Sequence, residues 1–144
     1  YKEVSKMALE IYLNFEGNCY EAVSFYSKVF KTEMQNIMYY SDMPENPDFV
    51  LTDEVKKMVL HTFLNINGTT VMFSDCPPNI PLKFGNNTAL VINKDNTEEI
   101  KELFNALKED GTVVMDLQET FWSRLYAFVE DKYGILWHLI YTGN

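Results

Sequence analysis

The residues of this chain whose types could do chemistry are two histidines, one carboxylate on the inward face of a strand, and a few thioether, hydroxyl and aromatic groups. His61 and His138 are the only imidazoles among 144 residues. Beside Glu10, either could act as a general base on a small oxygenated substrate. A carboxylate in the position of Glu10 must be hydrated, paired or functional, because an unpartnered charge is costly to desolvate. His61 lies in the run MVLHTFLNINGTTVMFSD, Met58 to Asp75, where two β-rich stretches flank Asn67-Gly68, a dipeptide that tolerates the positive φ angles of a two-residue hairpin turn. With Ile66 opposite Thr69, Leu64 faces Val71, Phe63 faces Met72 and His61 faces Ser74. One face then carries Leu60, Thr62, Leu64, Val71 and Phe73. The other carries His61, Phe63, Thr70, Met72 and Ser74, an apolar wall with one imidazole and two hydroxyls. A lone histidine on a half-apolar strand is also an ordinary core residue, so this face is open to a packing as well as a ligand reading.

Positioning those groups requires a scaffold, and the pattern of the chain supplies one twice. Met7 to Phe15 alternates as a strand. After Gly17, Asn18 and Glu21 suggest a capping box for a helix striped by Ala22, Phe25, Tyr26, Val29 and Phe30. Glu33 to Tyr40 reads as a second strand, and Ser41 to Glu54, with two prolines and five acids, as a long polar loop of the kind that often forms a lid. Cys76 to Asn86, with three prolines, looks like a connection. The order then repeats. Thr88 to Ile92 forms a strand; Asn96 and Glu99 form a capping box; Ile100, Leu103, Phe104 and Leu107 stripe a helix that Gly111 ends at C′. Thr112 to Leu117 is a strand, and Leu125 to Val129 with Ile135 to Tyr141 forms a hairpin across Asp131 to Gly134. Each half is strand, helix, then three strands, with modules at 8–75 and 86–142 joined by 76–85. In this duplication Asn87 takes the place of Glu10, and His138, four residues after Gly134, takes that of Met72, four after Gly68.

Composition narrows the class. Hydrophobic residues at 47% and aromatics at 15% exclude disorder, and the length suits one domain or two small modules. A formal net charge of -9 repels phosphate backbones and anionic bilayers, so neither nucleic acid nor membrane is an expected partner. No apolar run is long enough to span a bilayer and Tyr1 to Lys6 lacks the apolar core of a signal peptide, which points to the cytoplasm. Cys19 and Cys76 have no CxxC spacing and read as reduced thiols. Glycine-rich phosphate-binding turns and nucleophile elbows are absent. Tyr12, Phe63, Met72, Trp122 and Tyr126 would supply the wall of a ligand pocket, while Arg124, two residues after Trp122, meets either an anionic ligand group or water.

The element order, together with YLNFEGNCYEAVSFYSKVF, FLNINGTTVMFSD, LQETFW and FVEDKYGILW, resembles the PhnB-like branch of the glyoxalase, bleomycin-resistance and extradiol-dioxygenase superfamily, the vicinal oxygen chelate fold. The resemblance runs from about Ala8 to Tyr141. It implies an α+β fold of two βαβββ modules, with curved mixed sheets around a central cleft and helices outside, in a homodimer. It also implies that metal ligands, where relatives have them, fall on Glu10, Met72, Asn87 and His138. A thioether and a neutral amide are poor ligands for a divalent first-row ion, so a metal-free small-molecule site without a cofactor is expected. The expected site comprises His61, His138 and Glu10 as the chemical groups, with Tyr12, Phe63, Met72, Ser74, Asn87 and Trp122 as ligand contacts. Two readings compete with it. One is a metal-dependent lyase, isomerase or dioxygenase in which Glu10, His61 and His138 form the ligand trio; the other is a drug-sequestering protein. The methyltransferase name sometimes attached to this branch has no support in the residues.

Overall fold

A computed structural model describes residues 8–143. The polar segment Tyr1 to Lys6 and Met7, the first residue of the expected first strand, lie outside the described residues. The chain divides into two compact units, the first ending at Leu82 and the second beginning at Lys83. The elements are β1 (Ile11–Phe15), α1 (Cys19–Phe30), β2 (Gln35–Tyr39), the short helix α2 (Asp53–Lys56), β3 (Val59–Ile66) and β4 (Thr69–Asp75), then β5 (Leu90–Lys94), α3 (Thr97–Leu107), β6 (Thr112–Gln118), β7 (Tyr126–Glu130) and β8 (Leu136–Tyr141). Each unit holds one four-stranded mixed sheet, in the order β1-β4-β3-β2 and β5-β8-β7-β6. Both are βαβββ units, and neither sheet closes on itself. Among the described residues no helix is long and apolar enough to cross a membrane.

The hairpin register follows from its turn. Asn67 and Gly68 take φ of 52° and 88°, the two positive values such a turn needs, and Ile66 pairs with Thr69, Leu64 with Val71 and Phe63 with Met72. Period two then sends Leu64, Val71 and Phe73 to the face covered by α1, where Phe73 stacks near Tyr26 at 5.9 Å and near Phe15 at 6.4 Å. In the second unit α3 packs Ile100, Leu103, Phe104 and Leu107 against β5, β7 and β8, burying Ile92, Ala127, Val129, Trp137 and Leu139. The opposite face of each sheet is left to other work.

The first helix is not capped as its sequence suggests. Asn18 makes no side-chain cap. Asp75, at the end of β4, accepts from the amides of Gly17 at 2.7 Å and Cys19 at 2.9 Å on Oδ1, and from Val59 at 2.9 Å on Oδ2. Its backbone oxygen accepts from the buried Tyr40 hydroxyl at 2.7 Å. The capping box failed here because a charged acceptor on a neighbouring strand outcompetes a neutral local one. Asn96 does cap α3, accepting from Glu98 and Glu99 at 2.9 and 3.1 Å. Gly111 is not at C′: α3 ends with Lys108 as its C-cap, Asp110 takes the left-handed conformation at φ 56°, and Gly111 is small because a Cβ there would collide with the carbonyl oxygen of Glu130. The long segment after β2 is tied down at both ends, by a 3-10 turn at Tyr40–Asp42 and by α2, with one bridge between Asn46 and Phe49.

Asp75 is only 2% exposed and satisfies three backbone amides. Removing it leaves the buried Cys19 and Val59 amides without an acceptor, at roughly 1–3 kcal/mol each, while the exposed Gly17 amide turns to water. Asp75→Ala is therefore expected to lower the unfolding free energy by about 3 kcal/mol or more in urea denaturation; a loss below about 1 kcal/mol would show that the carboxylate does not hold this junction.

Candidate functional site

In the first unit, pairing of β1, β4 and β3 sets Tyr12, Met72 and Phe63 in one row on the face opposite α1. His61 pairs with Met38 of β2 and its ring lies 5.9 Å from that of Tyr12, which is 45% exposed. His61, Phe63 and Met72 are half-buried. Ser74 is buried two residues beyond Met72 on the same side of β4 and donates its hydroxyl to Oδ1 of the exposed Asn14 at 3.0 Å. Glu10 stands half-buried one position ahead of β1. The structure thus gathers Tyr12, His61, Phe63 and Met72 on one face, as the alternation demands.

The second unit places its chemistry more tightly. His138 on β8 pairs with Val91 of β5 on one side and Phe128 of β7 on the other. The Phe128 ring stacks on the imidazole at 4.0 Å and 14°. Tyr126 Oη lies 2.6 Å from His138 Nδ1. Trp122 stands edge-on to Tyr126 at 5.5 Å and 72°, and Phe121 edge-on to Trp122 at 4.8 Å and 88°. Five rings therefore form a continuous ladder across the sheet face and onto the loop above it. That loop is held by Ser123: its amide donates to Thr120 Oγ1 at 3.1 Å, and its hydroxyl lies 2.8 and 3.0 Å from the carbonyl oxygens of Leu125 and Tyr141. Arg124 lies over the Tyr141 ring at 5.9 Å.

Electrostatics follow from burial. Desolvation pushes the His138 imidazole below its ordinary value of 6.5 and pushes the Tyr126 hydroxyl up, so both groups are neutral near pH 7. With the Tyr126 hydroxyl donating to Nδ1, the proton of the imidazole sits on Nε2, where it can be offered to a ligand oxygen; the other tautomer leaves an Nε2 lone pair able to take a proton. Burial, with a contribution from the Asp75 carboxylate, raises the Cys19 thiol well above its usual range, and Cys76 is raised in the same way, so neither is poised as a nucleophile.

One expectation needs correction. Tyr12 pairs with Met72 as Val91 pairs with His138, so Met72 and His138 are equivalent, but the counterpart of Glu10 is Ala89 and not Asn87. Asn87 is exposed in the bend before β5, because parallel pairing with β8 begins only at Leu90. Among the described residues no three His, Cys, Asp or Glu side chains cluster so as to hold an ion. With Met72 and Asn87 as poor donors, the residues present do not fit a divalent metal centre. Phe128 is not legible in the sequence, because counting back across Asp131–Gly134 as a four-residue turn puts Ala127 opposite His138, whereas the structure pairs Glu130 with Leu136 and so Phe128 with His138. The Tyr126–His138 hydrogen bond has no signal in spacing alone.

The family model described as 3-demethylubiquinone-9 3-methyltransferase matches residues 7–140. Protein YjdN of Escherichia coli (strain K12) is 30% identical over 137 residues, covering 91% of this chain and 92% of YjdN. Among solved structures, protein PA1353 from Pseudomonas aeruginosa is 31% identical with a TM-score of 0.81, over 95% of this chain and 100% of that one. A putative 3-demethylubiquinone-9 3-methyltransferase, PhnB protein, from Bacillus cereus is 27% identical with a TM-score of 0.78, over 94% and 100%.

The depressed imidazole makes a pH prediction. The unfolded histidine takes up its proton as pH falls through about 6.5, whereas the folded one waits for a lower pH, so the unfolded state binds more protons in that interval. The stability contribution is thus complete above about pH 6.5 and is lost as pH falls towards the folded midpoint. NMR titration should place the His138 midpoint below 6.5, and His138→Gln should lose less stability than the parent chain between about pH 7 and pH 5.5. A midpoint at or above the ordinary value would contradict the desolvated environment.

Proposed function

Since this chain belongs to the PhnB-like family of the vicinal oxygen chelate superfamily, we propose that it binds, and through His138 acts on, a small organic molecule without the help of a metal ion. The observation that carries this reading is the neutral His138 imidazole, held by Tyr126 at 2.6 Å and by the stacked Phe128 ring, on a sheet face that no helix of its own unit covers. Convergent rings with one oriented polar group are what small-molecule sites commonly offer. In the first unit the face of Tyr12, His61, Phe63 and Met72 is likewise apolar and aromatic, with Glu10 at its edge and Ser74 on the same side.

An acid–base role is a natural extension: when the Tyr126 hydroxyl accepts from Nδ1–H, the neutral imidazole presents an Nε2 lone pair that can take a proton. Methyl transfer is not part of the proposal. The helix that follows β1 has its first amides filled by the Asp75 carboxylate, so that amino terminus offers no place for an anionic cofactor group.

The proposal includes a homodimer in the cytoplasm with no nucleic acid or membrane partner. Val113 and Val114, 41% and 49% exposed on the edge strand β6, give an apolar strip that a second copy could cover. Cys19 and Cys76 are free thiols, in keeping with a reducing compartment. The acidic balance disfavours polyanions. Sedimentation at micromolar concentration is expected to give a dimer, and a single monomeric species removes that part of the reading.

The site is tested by mutation against a library of small aromatic fragments followed by ligand-detected NMR. His138→Ala and Trp122→Ala should each abolish the fragment signals seen with the parent chain, while His138→Ala lowers unfolding free energy by less than about 2 kcal/mol. Unchanged fragment binding in His138→Ala, or a stability loss of a core cavity, about 2 kcal/mol or more, makes His138 a packing residue and ends the proposal.

A further inference from the structure

The sheet face around His138 carries no charge over two complete rows. Val91, His138, Phe128 and Met115 form one row across the four strands; Asn93, Ile140, Tyr126 and Gln118 form the next. In a chain with 21 acidic and 12 basic residues, eight adjacent positions without an ionised side chain leave a ligand no counter-charge. Asp116 sits in the irregular stretch of β6 between the two rows, with its Oδ1 accepting from the Leu117 amide at 2.8 Å, and Glu130 lies one row further on at the end of β7. Nor do the two titratable groups in the rows supply charge near neutral pH, since burial keeps Tyr126 protonated and His138 unprotonated. Of the neighbouring cations, Lys94 follows Asn93 and so alternates to the other side of β5 in register with Tyr141, and Arg124 lies over the Tyr141 ring.

The face is nonetheless accessible. Val91 is 50% exposed and Trp122 53% exposed, and Phe121 projects almost wholly into solvent at 98%. Trp122 stands nearly upright beside Tyr126, so it forms a side wall to a floor made by the stacked His138 and Phe128 rings. An ionised ligand laid on that floor would lose hydration and gain no opposite charge, whereas a flat neutral ring loses little and gains stacking.

Resting on the reading of the preceding subsection, we infer that the second unit selects an uncharged, flat aromatic molecule that presents one oxygen to His138 Nε2, with Tyr126 as the positioning residue that holds the imidazole in place. Tyr126 acts through His138, by the hydrogen bond to Nδ1.

Three bicyclic probes of matched shape test it on the full chain: β-naphthol, β-naphthoate and β-naphthylmethylammonium. The readouts are the indole N–H signals of the two tryptophans and the His138 ring signals by heteronuclear NMR. Trp137 is an internal control, because it is 1% exposed and its Nε1 donates to Asp131 at 2.8 Å. β-Naphthol is expected to shift Trp122 and His138 but not Trp137, and to bind at least about tenfold more tightly than either charged probe. Tyr126→Phe keeps the ring and removes the hydroxyl. It should weaken β-naphthol binding several-fold and move the His138 titration midpoint, a change that a merely structural tyrosine would not produce. If a charged probe matches or exceeds β-naphthol at Trp122 and His138, the site stands and the inferred ligand class falls. Equal β-naphthol affinity and an unmoved His138 midpoint in Tyr126→Phe overturn the positioning role. If none of the three shifts Trp122 or His138, or if Trp137 moves as much as Trp122, the site reading itself fails along with the inference.

Discussion

The buried carboxylate of Asp75 is the interaction on which the first unit depends. Its two oxygens receive amides from the turn into α1 and from the start of β3, and its main-chain oxygen receives Tyr40 from the segment after β2. Three pieces of chain distant in sequence thus share one acceptor, and Cys76 continues the tie by donating its amide to Phe15 at 2.7 Å. Charge-assisted bonds from several amides to one carboxylate are stronger than neutral ones and leave no donor unpaired. The junction fixes where α1 sits on its sheet, and hence which face Tyr12, Phe63 and Met72 are free to occupy.

The second unit meets the same backbone requirement differently. Asn96 caps α3 from within its own sequence, and the position equivalent to Asp75 is Tyr141. The buried acid has moved to the hairpin turn. Asp131 accepts from Tyr133 and Ile135 on Oδ1, and from the Trp137 indole at 2.8 Å on Oδ2. Trp137 is thereby locked into the α3 side of β8, and alternation turns its neighbour His138 to the opposite side. A structural acid thus orients the residue with chemical potential at one remove, through the pleat of a single strand.

The two open faces show how one scaffold can hold different groups. Tyr12, Met72 and Phe63 occupy the row that Val91, His138 and Phe128 occupy in the second unit. Only the phenylalanine is common to both. In the second unit the imidazole is pressed between a ring and a hydroxyl, an environment that favours its neutral form. The first unit sets a thioether at the same point, which is soft, adaptable and without acid–base capacity. Neither row offers the several anionic or imidazole donors converging on one point that coordination of an ion demands.

Sequence alone determined what depends on local period and turn chemistry. Asn67-Gly68 set the hairpin register, and with it the side on which His61, Phe63 and Met72 emerge; the repeated order of elements set the two units and the equivalence of Met72 with His138. These features are legible because alternation and turn conformation involve residues close in the chain. Tertiary structure decided what depends on meetings between distant residues. Asp75 displaced the expected Asn18 cap because a carboxylate 56 residues from Cys19 reaches the same amides with charge. Asn87 is not the counterpart of Glu10 because parallel pairing of β5 with β8 puts Ala89 there, a register that no turn in the sequence specifies. Tyr126 became the partner of His138 because the two lie on neighbouring strands, in adjacent rows of one face, at a separation that only packing could set.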